Sequence, residues 1–317
     1  MSRRRLIALA AAVAAFAAGV AAVALRRDGE AGPLSASIAA RPDSLVLLDV
    51  GDGRPLADVP LGAEPTRLAY GEGAFWAAAP EDGLVIRVDE RERTASRFAV
   101  GEEPYDVAVG GGAVWVPDHD AHRLFRLDPD SGDVRGSDDL GQPAISVGFG
   151  FGSVWLVVAS GDLLRIDPQT LEVTSREPRA VATAENAEPK LVFRDDTLWI
   201  SSPASSSLVR IASDGRIVTE EAIGITSVAV LPEGRAWFAQ DAGFLQRVEG
   251  AERVEVGTRP LDLASTEDEL WVAAYDDRAA KRVDPGESRV TGQVGLGASP
   301  VAVAVGEELI AFAVQSG

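Results

Sequence analysis

The chain has 317 residues, with 49 acidic against 30 basic side chains, a formal charge of −19 and no cysteine. The missing cysteines exclude disulfides, thiol nucleophiles and Cys-rich metal sites together, and the acidity opposes binding to a phosphate backbone, so no nucleic-acid partner is expected. A chain of this length buries enough apolar surface to fold without covalent staples.

At the amino end, Met1-Ser2-Arg3-Arg4-Arg5 leads into twenty uncharged residues, Leu6 to Leu25, eleven of them alanine, closed by Arg26-Arg27-Asp28. At about 1.5 Å of helical rise per residue such a run covers roughly 30 Å, enough for a bilayer core. Residues 1–27 therefore read as one hydrophobic helix. It is either a retained transmembrane signal anchor or a signal peptide cleaved near the small residues Ala22-Val23-Ala24. Arginine is weighted to its amino side, which places the remainder outside the cytoplasmic membrane. Ser2 to Ile7 is similar to a twin-arginine export signal, although Ala8 stands where a lysine is customary; an ordinary positively charged flank is the alternative. Without residues 1–27 the chain keeps 25 basic and 49 acidic groups, a formal −24, which suits a soluble, surface-exposed domain. Residues 28–41, rich in Ala, Gly, Ser and Pro, read as a linker.

From residue 42 to 317 the sequence is repetitive. Trp76, Trp115, Trp155, Trp199, Trp237 and Trp271 are spaced 39, 40, 44, 38 and 34 residues apart. A period near 40 with short alternating apolar runs predicts an all-β propeller, in which each repeat is a small sheet that needs its neighbours for burial. The clearest unit runs from Gly101-Glu-Glu-Pro104 through Val107-Ala-Val109, a Gly110-Gly111-Gly112 turn and Val114-Trp115-Val116, to Leu124-Phe-Arg-Leu-Asp128-Pro129 and a Ser131-Gly132 turn. In all six units an arginine follows the tryptophan by ten or eleven residues: Arg87, Arg126, Arg165, Arg210, Arg247 and Arg282. An acid stands two residues later in five of them, and such pairs on one side of a strand predict ion pairs between blades. A seventh unit begins at Gly297 but stops at Gly317 with only two strands, Ile310 or Ala311 taking the tryptophan's place. The missing pair, Leu45 to Asp49 and Leu56 to Leu61, lies at the start of the repeats, so strands from both termini should close a seven-bladed ring.

Gly-x-x-Pro, Ala-Val-Trp-Val and Arg-Leu-Asp-Pro-x-Ser-Gly, as they stand in the second unit, resemble the bacterial seven-bladed propellers of the YVTN/YncE-like class. More loosely, the pattern resembles virginiamycin B lyase-like and NHL propellers. The resemblance implies the fold and leaves function open, since such blades carry lyases, hydrolases, adhesion modules and scaffolds. It also implies that the lyase members use histidine and glutamate from late blades with a divalent metal. No histidine follows His122 in this chain, so none of that catalytic set is carried over.

Chemistry is expected where loops joining second and third strands meet the connections between blades, at one mouth of the central channel. Both histidines fall there, in Asp118-His119-Asp120-Ala121-His122. This group reads either as a solvated polar turn or as a site for Zn²⁺ or another divalent ion, completed by a carboxylate from a neighbouring blade. Equivalent loops supply Glu81, Asp82, Asp162, Asp241, Asp276 and Asp277 as a candidate ligand-binding rim. A longer connection over Arg176 to Ala187, containing Glu185, adds either a surface loop or part of that rim. No Gly-x-Ser-x-Gly elbow is present, and Gly148 to Gly152 aligns with a hairpin turn rather than a phosphate loop. The reading from sequence is an extracytoplasmic, monomeric binding module for a protein, peptide or envelope ligand, needing no cofactor. The alternative is a divalent-metal-dependent lyase or hydrolase.

Overall fold

The computed structural model describes residues 34–184 and 187–316. The apolar helix expected over residues 1–27 lies outside them, and among the described residues no helix is long and apolar enough to cross a membrane. Seven antiparallel sheets form a closed ring of blades, with strands counted here from the channel outward. Blade 1 is Arg67–Gly71, Ala74–Ala79, Leu84–Asp89 and Ala95–Ala99. Blades 2 to 6 repeat the order, their inner strands being Ala108–Val109, Ala144–Gly150, Lys190–Arg194, Ile225–Val230 and Pro260–Ser265. Blade 7 joins the two ends: Ser299–Val305 and Leu309–Gln315 continue into Ser44–Asp49 and Pro55–Pro60. Leu45 faces Ala313 and Leu47 faces Ala311 across that junction, so Ala311 occupies the tryptophan's register position.

The core lies between blades rather than within them. Trp76 packs with Val107, Val114 and Val116 of blade 2, Trp115 with Val147, Val154 and Leu156 of blade 3, and Trp271 with Val303, Ile310 and Phe312 of blade 7. Each large ring thus fills the wedge to the next blade, where apolar burial holds the ring together. Indole nitrogens of Trp76, Trp115 and Trp155 donate to the carbonyls of Gly71, Gly110 and Gly150, each five residues back. Those glycines are required by neighbours: a Cβ on Gly110 would lie 2.3 Å from Phe149, and one on Gly150 would lie 2.1 Å from Phe193.

The recurrent arginines do something other than expected. All six stand directly across the strand pair from a tryptophan. Arg87, Arg165 and Arg210 place their guanidinium groups 5.9, 5.6 and 5.1 Å from the indole centroids, a cation–π arrangement. Of these six arginines, only Arg210 forms an ion pair to another blade among the described residues, with Glu249 at 2.8 Å. The acids following the arginines turn the hairpins instead. Asp89, Asp128, Asp167 and Asp284 each accept backbone N–H bonds from residues two and three positions on. Local turn chemistry uses the carboxylates before a neighbouring blade can.

Of the residues read as a linker, 28–41, those from Leu34 on do not stand free of the blades. Leu34–Ser37 forms a fifth, parallel strand on blade 6, in register with Gly292 to Gly295. Ile38 and Ala40 extend the contact by donating to the carbonyls of Gly295 and Leu296. Among the described residues, only this outer edge is covered by added chain, because residues 34–40 run into blade 7 close enough to pair with it.

Candidate functional site

The loop Asp118 to His122 joins the second and third strands of blade 2 at the mouth where the connections between blades also arrive. Asp118 is fully buried there. Its Oδ2 accepts the N–H groups of Glu102 and Glu103 at 2.7 and 3.0 Å, and its Oδ1 accepts that of Ala121 at 2.6 Å. With both oxygens on backbone donors, Asp118 shapes the loop. His119 is half-exposed; its Nδ1 lies 3.0 Å from Glu103 and 3.1 Å from Asp120, and its ring stacks on Tyr105 at 5.2 Å. Burial raises the Glu103 pKa, opposed by His119 and reinforced by Asp120, whereas the bond to His119 lowers that of Asp120. Glu103, His119 and Asp120 offer one nitrogen and two oxygens within 4.8 Å of one another, the donor number of a three-ligand zinc site. His122 is outside this group, its carbonyl accepting the N–H of Leu140. The completing carboxylate comes from the connection entering the same blade, two residues before Tyr105, rather than from a neighbour.

The expected rim residues sit at the same mouth, and several are tied down. Asp82 accepts the N–H of Glu64 and Asp277 that of Thr258, each joining its loop to the incoming connection, while Asp162 accepts that of Arg179 on the connection leaving its blade. Asp162 also pairs with Arg176, Asp276 with Arg259, and Asp277 with Lys281. The Asp162 pKa is lowered chiefly by the Arg179 N–H; that of Asp277 is lowered by Lys281 and Thr258 against the effect of burial. Glu81 and Asp241 are exposed in their turns. The longer connection docks onto two blades: Val181 donates to Gly161, Thr183 to Ala159, and Ser202 to the carbonyl of Ala182. Glu185 lies outside the described residues.

A second polar group was missed by reading loops alone. At one register position near the start of the inner strands stand Arg67, Asp106, Ser146, Lys190, Ser227 and Asp262, with Ala302 in blade 7. Arg67, Asp106, Lys190, Ser227 and Asp262 line a channel cavity of about 570 Å³ to which all seven blades contribute. Arg67 binds Glu188 at 3.1 Å, and the Tyr105 hydroxyl donates to the same carboxylate at 2.7 Å. Lys190 binds Asp262 and the carbonyl of Leu263. Burial opposes the charge on Arg67, yet Asp106, Glu188 and Asp262 around it raise its pKa. Burial raises the Asp106 pKa, while that of Glu188 is lowered because Arg67 and Tyr105 outweigh its burial. Tyr105 connects the ring to the loop cluster, with His119 on its face and Glu188 on its hydroxyl. The signal was in the sequence: each ring residue precedes its tryptophan by nine positions, or by ten for Ser227.

No protein-family model and no curated protein sequence matches this chain. Solved structures do. A streptogramin B lyase aligns with a TM-score of 0.66 at 14% identity, covering 86% of this chain and 98% of that one. Virginiamycin B lyase from Staphylococcus aureus gives 0.66 at 14% identity, covering 86% and 96%. These lyases share the seven-bladed propeller fold. Hydrazine synthase from Kuenenia stuttgartiensis also aligns, at 0.60 and 12% identity over 76% of this chain and 89% of that one. At these identities the likeness concerns fold alone, and one ring serves proteins of different chemistry.

Proposed function

We propose that this protein is an extracytoplasmic binding module, membrane-anchored or secreted through residues 1–27, that engages a protein, peptide or envelope ligand at the loop-bearing mouth of its channel and works as a monomer. One observation carries the reading: Asp118, Asp82, Asp162 and Asp277 hold backbone N–H groups, and Glu188 and Asp262 are bound by Arg67, Tyr105 and Lys190. Carboxylates engaged in this way are struts for a rigid recognition surface, while catalytic acids and bases need a poised pKa and access to substrate.

A second reading is a divalent-metal-dependent lyase or hydrolase. The observation favouring it is the convergence of Glu103, His119 and Asp120 at the channel mouth. Metal analysis of the purified protein separates the two. The binding-module reading expects no stoichiometric Zn²⁺, Mn²⁺ or Mg²⁺. One equivalent, lost in a His119→Ala, Glu103→Gln variant and kept in His122→Ala, would establish the metal site and overturn that reading.

A further inference from the structure

The hydrogen-bond capacity of the channel ring is unevenly spent. Every carboxylate oxygen in it already has a donor. Asp106 accepts from Val107 at 2.8 Å on one oxygen and from Ser146 and Val147 at 3.0 Å on the other. Asp262 accepts from Lys190, Ser227 and Leu263 on one oxygen and from Val303 on the other. Glu188 takes Tyr105 on Oε1 and Arg67 on Oε2.

The cations are different. Arg67 uses Nη1 on the carbonyl of Thr66 and Nη2 on Glu188, so most of its five N–H donors meet no acceptor among the described residues. Lys190 uses two of its three protons, on Asp262 and Leu263. Both side chains lie deep in the ring yet keep about a third of their surface open, 34% for Arg67 and 32% for Lys190. The cavity they line also contains Asp262, which binds Lys190 and whose charge helps raise the Arg67 pKa.

We infer that the channel is a binding site for a carboxylate-bearing ligand, whose oxygens accept from Arg67 and Lys190. This rests on the loop-face binding reading and gives it a chemistry. Spare donors facing a cavity call for an acceptor, and a planar carboxylate matches the guanidinium fork. Apolar wall is supplied by Leu68, Val109 and Val147 on neighbouring blades.

The test titrates the full-length protein in detergent with N-acetylglycine and with N-acetylglycinamide, read by saturation-transfer NMR. The acid should bind at least about tenfold more tightly than the amide, as expected for charge-assisted bonds. Lys190→Met and Arg67→Lys should each weaken the acid by a similar factor. Equal binding of the two probes, or binding of neither at millimolar concentration, overturns the assignment. Should a variant unfold, the acid-against-amide comparison in the parent still decides. Failure of this site leaves the loop-face reading intact, whereas stoichiometric metal on Glu103 and His119 would remove that reading; acid bound through such a metal would survive Lys190→Met, which separates the two.

Discussion

At the scale of single residues, the loop Asp118 to His122 divides its labour by burial. Asp118 is sealed under the loop with three backbone donors on it, while His119 remains half-exposed beside Glu103 and Asp120. Removing the Asp118 carboxylate leaves those N–H groups without their acceptor. Asp118→Ala is therefore expected to lower unfolding free energy by about 2–3 kcal/mol. His119→Ala removes one partly solvated contact and should cost about 1 kcal/mol or less. Urea denaturation monitored by tryptophan fluorescence compares the two; a larger loss for His119 would show that the histidine is the structural member.

At the scale of elements, the edge strand on blade 6 changes what truncation should do. A linker that touches nothing would be removable without consequence. Here Leu34–Ser37 pairs with the outer strand Arg289–Gly295, and Arg41 binds Asp58 at 2.8 Å. Deleting residues 28–41 bares that outer strand and releases the clasp on blade 7. The expected result is a melting temperature lower by at least about 3 °C, equivalent to roughly 1 kcal/mol. An unchanged melting curve would mean that the pairing contributes nothing to stability.

Across the whole molecule, stability depends on closing the ring, and two devices close it. One is the composite blade, in which Ser44–Asp49 lies beside Leu309–Gln315. The other is Glu90, buried between blades 1 and 7: its Oε1 accepts the N–H groups of Glu308 and Leu309 at 2.8 and 3.0 Å, and Tyr70 donates to Oε2 at 2.6 Å. A Cβ on Gly306 would come within 2.4 Å of that carboxylate, so the glycine keeps room for it. Deleting residues 43–61 takes two strands from blade 7 and exposes Leu309–Gln315 as an unpaired edge. Aggregation or early opening should follow, with a larger loss than deletion of 28–41 produces. A parent-like melting temperature, measured by calorimetry, would be incompatible with terminal closure.

Periodicity alone determined the blades, their number and the terminal junction, because burying both faces of a small sheet imposes the same apolar spacing on every repeat. The position of His119 at a loop-bearing mouth was legible for the same reason, since strand order follows from the repeat. Partners were not. The recurrent arginines lie across from tryptophans, Asp128 and its counterparts cap their own turns, and Glu103 rather than a neighbouring blade's acid reaches His119. The ring of Arg67, Asp106, Lys190 and Asp262 shares one register position, yet Lys190 and Asp262 are 72 residues apart in sequence and meet only when the circle closes. Spacing along the chain selects the strand and the face on which a residue stands. Which charge neutralises which is decided across the channel, by distances that exist only in the folded ring.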